Sequence, residues 1–324
     1  MSAITRRLLD HSILPVTLWE PSEQMLILPP ILASAYEAII DCHNLRLLAA
    51  SRNRDNPPVG GLTQQKADEH FAQAFDGSAA RTQLALLDPK GEVTDASDTF
   101  IRCLAGNHVC LTDAPCGAGA AALAFLTTIA ELRAQRVLPR QPMEVDLIGA
   151  EISEPSRNYA HEMLAQICPR LQEQAIFVRY QLLYWDVLDR LSNVDLIKAI
   201  IRTAASLSRQ ILVVANFNGF LEQERKRKEA EPQLAELFQF VSGRHSAALW
   251  IEPIMNEAIG SGGLFARLLA LFRGDWRRFA RHSSVVTGPR PVATSTARFR
   301  EPLEVDVKNR VNLAVMPIDL ERVE

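Results

Sequence analysis

The stretch Asn107–Phe125, NHVCLTDAPCGAGAAALAF, limits what this chain can fold into more than any other. An apolar run from Val109 to Leu111 ends in Thr112 and Asp113. A turn of Pro115, Cys116, Gly117, Ala118 and Gly119 follows, and then an alanine-rich helical pattern. Strand, glycine turn and helix in that order make a ligand-holding unit. The glycines remove side chains where the backbone turns tightly and where a ligand must approach it closely. Asp113, at the carboxyl end of a buried strand, lies at the mouth of such a site.

Further elements of the same kind line up behind it. MEVDLIGAE, residues 143–151, reads as a second buried strand, and Ser153 caps a helix whose first turn holds Glu154 and Pro155. Residues 175–184, 210–215 and 247–252 read as three more strands, separated by helical patterns at 193–206 and 221–241. Two final strand-like runs, 292–299 and 311–318, have no helix-length segment between them and predict an antiparallel pair. Five strands alternating with helices imply a parallel, doubly wound sheet with right-handed crossovers. Ligands bind such sheets beyond the strands' carboxyl ends, where the winding reverses.

Residues 1–91 differ in character. They are helical in flavour, broken by Pro29-Pro30 and by a hinge signal at 53–61. Thr63 is a helix cap for QQKADEHFAQAF, in which Phe71 and Phe75 share one face. The expected division is therefore a helical cap or lid over residues 1–91 and a core over 92–324.

The D-x-x-C-G-x-G pattern at Asp113–Gly119 resembles the first motif of class I S-adenosylmethionine-dependent methyltransferases. The terminal hairpin fits that family, whose seventh strand is inserted antiparallel; nicotinamide-binding Rossmann domains do not normally finish that way. The fold expected is thus α/β: a doubly wound, mostly parallel seven-stranded Rossmann-like sheet with an antiparallel terminal hairpin, plus a helical N-terminal extension. The resemblance implies an enzyme, a transferase that uses S-adenosyl-L-methionine as cofactor and methylates a small molecule or a nucleic acid. It also implies that Asp113, Cys116, Gly117 and Gly119 line the methionine part of the cofactor.

The later strand ends supply further candidates. A carboxylate at Glu151 can accept both hydroxyls of a ribose, with Ile152 beside it to pack on the adenine; the plainer role is a solvated acid at a helix start. Trp185 and Asp186 follow the third strand. In the family an acidic residue there accepts the adenine amine, although a core tryptophan and a capping aspartate would look the same. Asn216 and Phe217, in NFNGF, end the fourth strand, where cofactor and acceptor would meet. Asn216 is a candidate both to bind the cofactor and to orient an acceptor proton, and Phe217 to stack on a flat substrate. The stretch lacks the proline of the Asn-Pro-Pro-Tyr motif of nucleic-acid amino methyltransferases, so a non-catalytic module that binds the cofactor or a partner is the rival reading. Phe71, Phe75 and Arg81 are candidates to reach over the cofactor, and Glu252 is a candidate base.

Bulk properties exclude other classes. The net charge of −3 gives no general pull towards nucleic acid or an anionic membrane. One local exception is residues 262–300, where Arg267, Arg273, Arg277, Arg278, Arg281, Arg290, Arg298 and Arg300 face a single acid, Asp275. Guanidinium groups suit phosphate or carboxylate, including RNA. Apolar residues at helical spacing within the run make a solvated helix face the alternative. Five cysteines without C-x-x-C pairing predict reduced thiols and a cytoplasmic setting. No metal-ligand spacing, signal-peptide core or apolar run of membrane-spanning length is present in the sequence, so neither a metal nor a membrane is expected.

Overall fold

The computed structural model describes residues 7–52, 58, 60–204, 209–223, 226–243, 245–254, 291–304 and 306–320. Its sheet is built from β1 (Trp19–Glu20), β2 (Met25–Ile27), β3 (His108–Asp113), β4 (Met143–Glu151), β5 (Ile176–Tyr184), β6 (Arg209–Ala215), β7 (Ser246–Glu252), β8 (Ala293–Arg300) and β9 (Lys308–Asp319). The strand order is β1-β2-β8-β9-β7-β6-β3-β4-β5. From β5 to β7 every pairing is parallel, and β9 enters antiparallel beside β7. The terminal pair β8–β9 is antiparallel, as its short connection requires.

Strand number is where expectation and structure part. Among the described residues the sheet has nine strands, not seven. The two extra ones come from the N-terminal stretch expected to be helical: β1 pairs antiparallel with β2, and β2 runs parallel to β8, aligning Met25 with Arg298. The same stretch does form helices, α1 (Pro30–Cys42) and α2 (Arg46–Ala50). The long α3 (Gln64–Leu87) starts at the predicted cap, where Thr63 Oγ1 accepts the Lys66 N–H at 3.3 Å. It ends at Asp88, which is in the left-handed conformation.

The remaining helices are α4 (Thr94–Cys103), α5 (Ala120–Ala134), α6 (Glu154–Gln172), α7 (Arg190–Thr203), α8 (Asn218–Gln223) and α9 (Arg227–Val241). The last two occupy the span read as one helix. The helical spacing noted in the arginine-rich run 262–300 falls, up to residue 290, outside the described residues.

Period-two alternation of the central strands divides the apolar side chains between two cores. Val109, Leu111, Ile211, Val213, Leu249 and Ile251 join one core with the inner faces of α1, α3, α5 and α6. Cys110, Leu212, Val214, Ala248 and Trp250 point the other way, onto α7 and α9. Burial on both faces is why these strands read as unbroken apolar runs rather than as alternating ones. Such a sandwich leaves the strand ends as the place where polar side chains can gather.

Candidate functional site

The winding reverses at β3, which has β4 on one side and β6 on the other. Its carboxyl end and the turn behind it are held to both neighbours. Ala114 N–H donates to the Val213 carbonyl at 3.0 Å and Cys116 N–H to the Ala150 carbonyl at 2.9 Å; the Ala114–Pro115 peptide between them is cis. Gly117 and Gly119 have φ of 52° and 84°, a region in which a Cβ is disfavoured by roughly 1–2 kcal/mol. Gly119 N–H closes the turn on the Cys116 carbonyl at 2.7 Å and α5 begins at the next residue.

Two carboxylates meet at this turn. Asp113 is fully buried; its Oδ2 accepts the Ala122 N–H of α5 at 3.1 Å, while Oδ1 has no partner. Burial pushes its acid up to about 7. Glu151 accepts the Gly117 N–H at 3.0 Å through Oε2 and the Ser153 N–H at 2.9 Å through Oε1. Each of those oxygens keeps a second lone pair for a hydroxyl donor. Burial raises Glu151 as well, against the pull of these two N–H groups. A Cβ built on Gly117 would meet nothing within 4 Å, so open space lies directly over the turn.

The other candidates have more mixed surroundings. Cys116 is buried with its sulfur turned onto Gly149, where an added Cβ would lie 3.1 Å away, and burial drives its thiol well above the ordinary range. Ile152 is half-buried beside Glu151, and Arg157 of α6 donates to the carbonyls of both residues. Trp185 is 2% exposed; its indole N–H donates to Asn193 at 3.2 Å and its ring packs on Phe217. Asp186 is half-buried and accepts the Leu188 N–H at 2.9 Å in the turn before α7.

Beyond β6, Phe217 is 4% exposed within a ring cluster with Trp185, Phe220 and Trp250. Asn216 has φ of 56°, and its side-chain carbonyl oxygen accepts a hydrogen bond from Arg81 of α3. Arg81 also donates through Nε to the Asn312 carbonyl of β9 at 3.0 Å. Beside them lies Glu252, the last residue of β7. Its Oε1 receives the Phe217 and Asn218 N–H groups at 3.0 and 2.9 Å and the Trp250 indole N–H at 2.7 Å. Burial lifts Glu252 to about 7.

The fold therefore gathers Asp113, Gly117, Gly119, Glu151 and Ile152 at one point and Asn216, Arg81 and Glu252 at the adjoining strand ends. Phe71 and Phe75 are not part of either group. They are buried with Tyr36 and Tyr159, Phe71 stacking on Tyr159 at 4.3 Å between ring centroids. Asn312 and Arg157 were missed from sequence: no local pattern marks a residue whose backbone carbonyl does the work, or an arginine one turn into a helix. Of the arginine-rich run, Arg267, Arg273, Arg277, Arg278, Arg281 and Arg290 lie outside the described residues, whereas Arg298 and Arg300 lie on β8. Among the described residues, no helix is long and apolar enough to cross a membrane.

No protein-family model matches the chain, and no curated protein matches it either. Solved structures do align with it. A precorrin-6y C5,15-methyltransferase from Geobacter metallireducens aligns at 7% identity and a TM-score of 0.37, covering 69% of this chain and 88% of its own. A putative class I S-adenosylmethionine-dependent methyltransferase from Listeria monocytogenes aligns at 9% and 0.37, covering 90% and 89%. Human N-acetylserotonin methyltransferase in complex with S-adenosylmethionine aligns at 10% and 0.26, covering 91% and 73%. At such identities the chemistry has to be argued from this chain's own side chains.

Proposed function

We propose that this chain binds S-adenosylmethionine at the β3 turn and transfers its methyl group to an acceptor held at the ends of β6 and β7. The observation that carries the reading is the unpartnered, fully buried Oδ1 of Asp113 at the end of β3, taken together with the open space over Gly117 in the turn that follows. A buried acceptor without a donor is costly, and an amino-acid ammonium lying over the turn would supply one. In this reading Gly117 and Gly119 let the methionine part approach the backbone, Glu151 accepts the ribose hydroxyls with its remaining lone pairs, and Ile152 packs on the adenine. Residues 92–324 carry the cofactor site, and 1–91, built into the same sheet and core through β1, β2, α1 and α3, supply the cap side through Arg81.

When bound, the cofactor supplies an electrophilic methyl group on a sulfonium. What the protein contributes is position: holding the acceptor in line within a dry site yields most of the rate, and a base is optional. Asn216, Arg81 and Glu252 are the polar groups available to orient an acceptor. The rival, a module that binds the cofactor without transferring methyl, draws support from Phe217 being committed to a buried ring cluster and the Asn216 carbonyl to Arg81.

Calorimetry with S-adenosylmethionine, S-adenosylhomocysteine and NAD tests the cofactor assignment: both adenosyl compounds should bind, and NAD binding without them would overturn it. Incubation with labelled S-adenosylmethionine and cell-extract fractions then separates enzyme from module, since only the enzyme leaves label on an acceptor.

A further inference from the structure

Arg81 is placed unlike most of the arginines that turn inward, although Arg157 also donates to neutral oxygens, the Glu151 and Ile152 carbonyls. Arg7 reaches Asp88 at 2.9 Å, Arg52 lies between Asp76 and Glu301, and Arg227 pairs with Glu222. In each case a carboxylate answers the guanidinium. Arg133 rests on two carbonyls, but at the far end of α5, away from the strand ends described above. Arg81, half-buried near the middle of α3, meets two neutral oxygens at the strand ends: the Asn216 side-chain carbonyl and the Asn312 backbone carbonyl.

The acid that acts on its charge, Glu252, makes no hydrogen bond to it. Oε1 of that carboxylate is taken by three N–H donors, and no ion pair joins it to Arg81. Burial brings Arg81 down to about 10, which still leaves it charged at neutral pH. Two of its nitrogens are fixed by Asn312 and Asn216, so the fork is oriented in advance and its remaining nitrogen, Nη2, has a set direction. Near Asn216, the half-buried Phe220 ring stacks on the buried Phe217 and carries the Lys226 ammonium over it at 5.0 Å.

We propose that Arg81 is the specificity-determining residue for the acceptor, and that the acceptor carries an anionic group, a carboxylate or a phosphate monoester, which Arg81 binds by a charge-assisted hydrogen bond. The proposal rests on the methyltransferase reading for the word acceptor but not for the anion site itself. It also assigns the role of α3: the N-terminal region brings a guanidinium to the end of β6, where Asn216 and Glu252 supply no positive charge.

The test uses the full chain saturated with S-adenosylhomocysteine and titrated calorimetrically with benzoate, phenyl phosphate and benzyl alcohol. One of the two anions should bind at least tenfold more tightly than the neutral alcohol; which one distinguishes carboxylate from phosphate. Arg81→Gln should remove that preference, Arg81→Lys should keep part of it, and both variants should bind S-adenosylhomocysteine within about twofold of the parent, which also reports that they are folded. An anion preference that survives in Arg81→Gln, or no preference in the parent, overturns the proposal. If S-adenosylhomocysteine does not bind the parent, the cofactor assignment fails instead. The same titrations on the protein alone then decide the anion site by the same criteria.

Discussion

Replacing Gly117 by alanine separates the cost of folding from the cost of binding, because the two arise on opposite sides of the same Cα. On the protein side, the residue sits at φ 52°, so any L side chain incurs roughly 1–2 kcal/mol. No steric cost adds to this, since the new Cβ would meet nothing within 4 Å. Against a typical stability of roughly 5–15 kcal/mol the variant should stay folded, with a melting temperature lower by several degrees. On the ligand side, the methyl group enters the space assigned to the methionine part of the cofactor. An intrusion of that size into a filled site costs roughly 1–3 kcal/mol, or about tenfold to a hundredfold in affinity. The assay is calorimetry with S-adenosylmethionine beside a thermal melt. Parent-like affinity in a folded Gly117→Ala protein would refute the assignment of that space. Gly119→Ala is the contrasting control: its Cβ would lie 3.2 Å from Leu123 and 3.7 Å from Ala160 at φ 84°, so its melting temperature should fall further than that of Gly117→Ala.

The buried acids predict a pH dependence of definite sign. Asp113 and Glu252 both titrate near 7 in the folded chain against roughly 4 when unfolded, so the native state holds more protons between those values and stability falls as pH rises through that window, by at most about 1.4 kcal/mol per pH unit for each group. Melting curves of the ligand-free protein at pH 5.5 and 7.5 should therefore differ more for the parent than for Asp113→Asn or Glu252→Gln; equal differences would count against the assignment. Cofactor binding should tighten towards pH 7 and, below it, release a proton as Asp113 ionises against the bound ammonium, measurable as buffer-dependent heat. Arg52→Ala should destabilise the fold by roughly 3–5 kcal/mol, because Asp76 and Glu301, both buried, lose their shared cation; a shift under 1 kcal/mol in chemical denaturation would show that the pair had been neutral. Gly77→Ala, mid-helix in α3 with nothing within 4 Å of the new Cβ, should raise stability by about 0.5–1 kcal/mol in the same denaturation, and a decrease would mean that α3 is not helical there.

The strands buried on both faces were legible because their local composition is dictated by their position: Val109–Leu111 and Ile211–Val214 must be apolar throughout, and they are. Asp113 and Glu151 were legible for a related reason, as acids that interrupt such runs where they end. Strands β1 and β2 were not, since Trp19–Glu20 and Met25–Ile27 are too short to show alternation and their pairing is fixed by β8, far along the chain. Phe71 and Phe75 show a different limit. A helix face that packs and a helix face that covers a ligand have the same spacing, and only the arrival of Tyr36 and Tyr159 decides between them. Arg81 could be named from sequence as a reaching residue, but not the neutral company it keeps, because Asn216 and Asn312 come from strands that the sequence does not bring near α3.

The parallel seam between β2 and β8 has a consequence for how this protein is made. The partner of Met25, Arg298, is added roughly 270 residues after it, which at about 5–20 residues per second is a wait on the order of tens of seconds. Throughout that interval the edge of the sheet next to β9 is also missing, because β8 and β9 follow every other strand of the sheet in the chain. Until β8 is made, β2 must therefore wait with only β1 paired to it, or be shielded by a chaperone. Fusion or tethering that delays release of the C-terminal strands should lower the yield of native protein even though no residue of the site is touched.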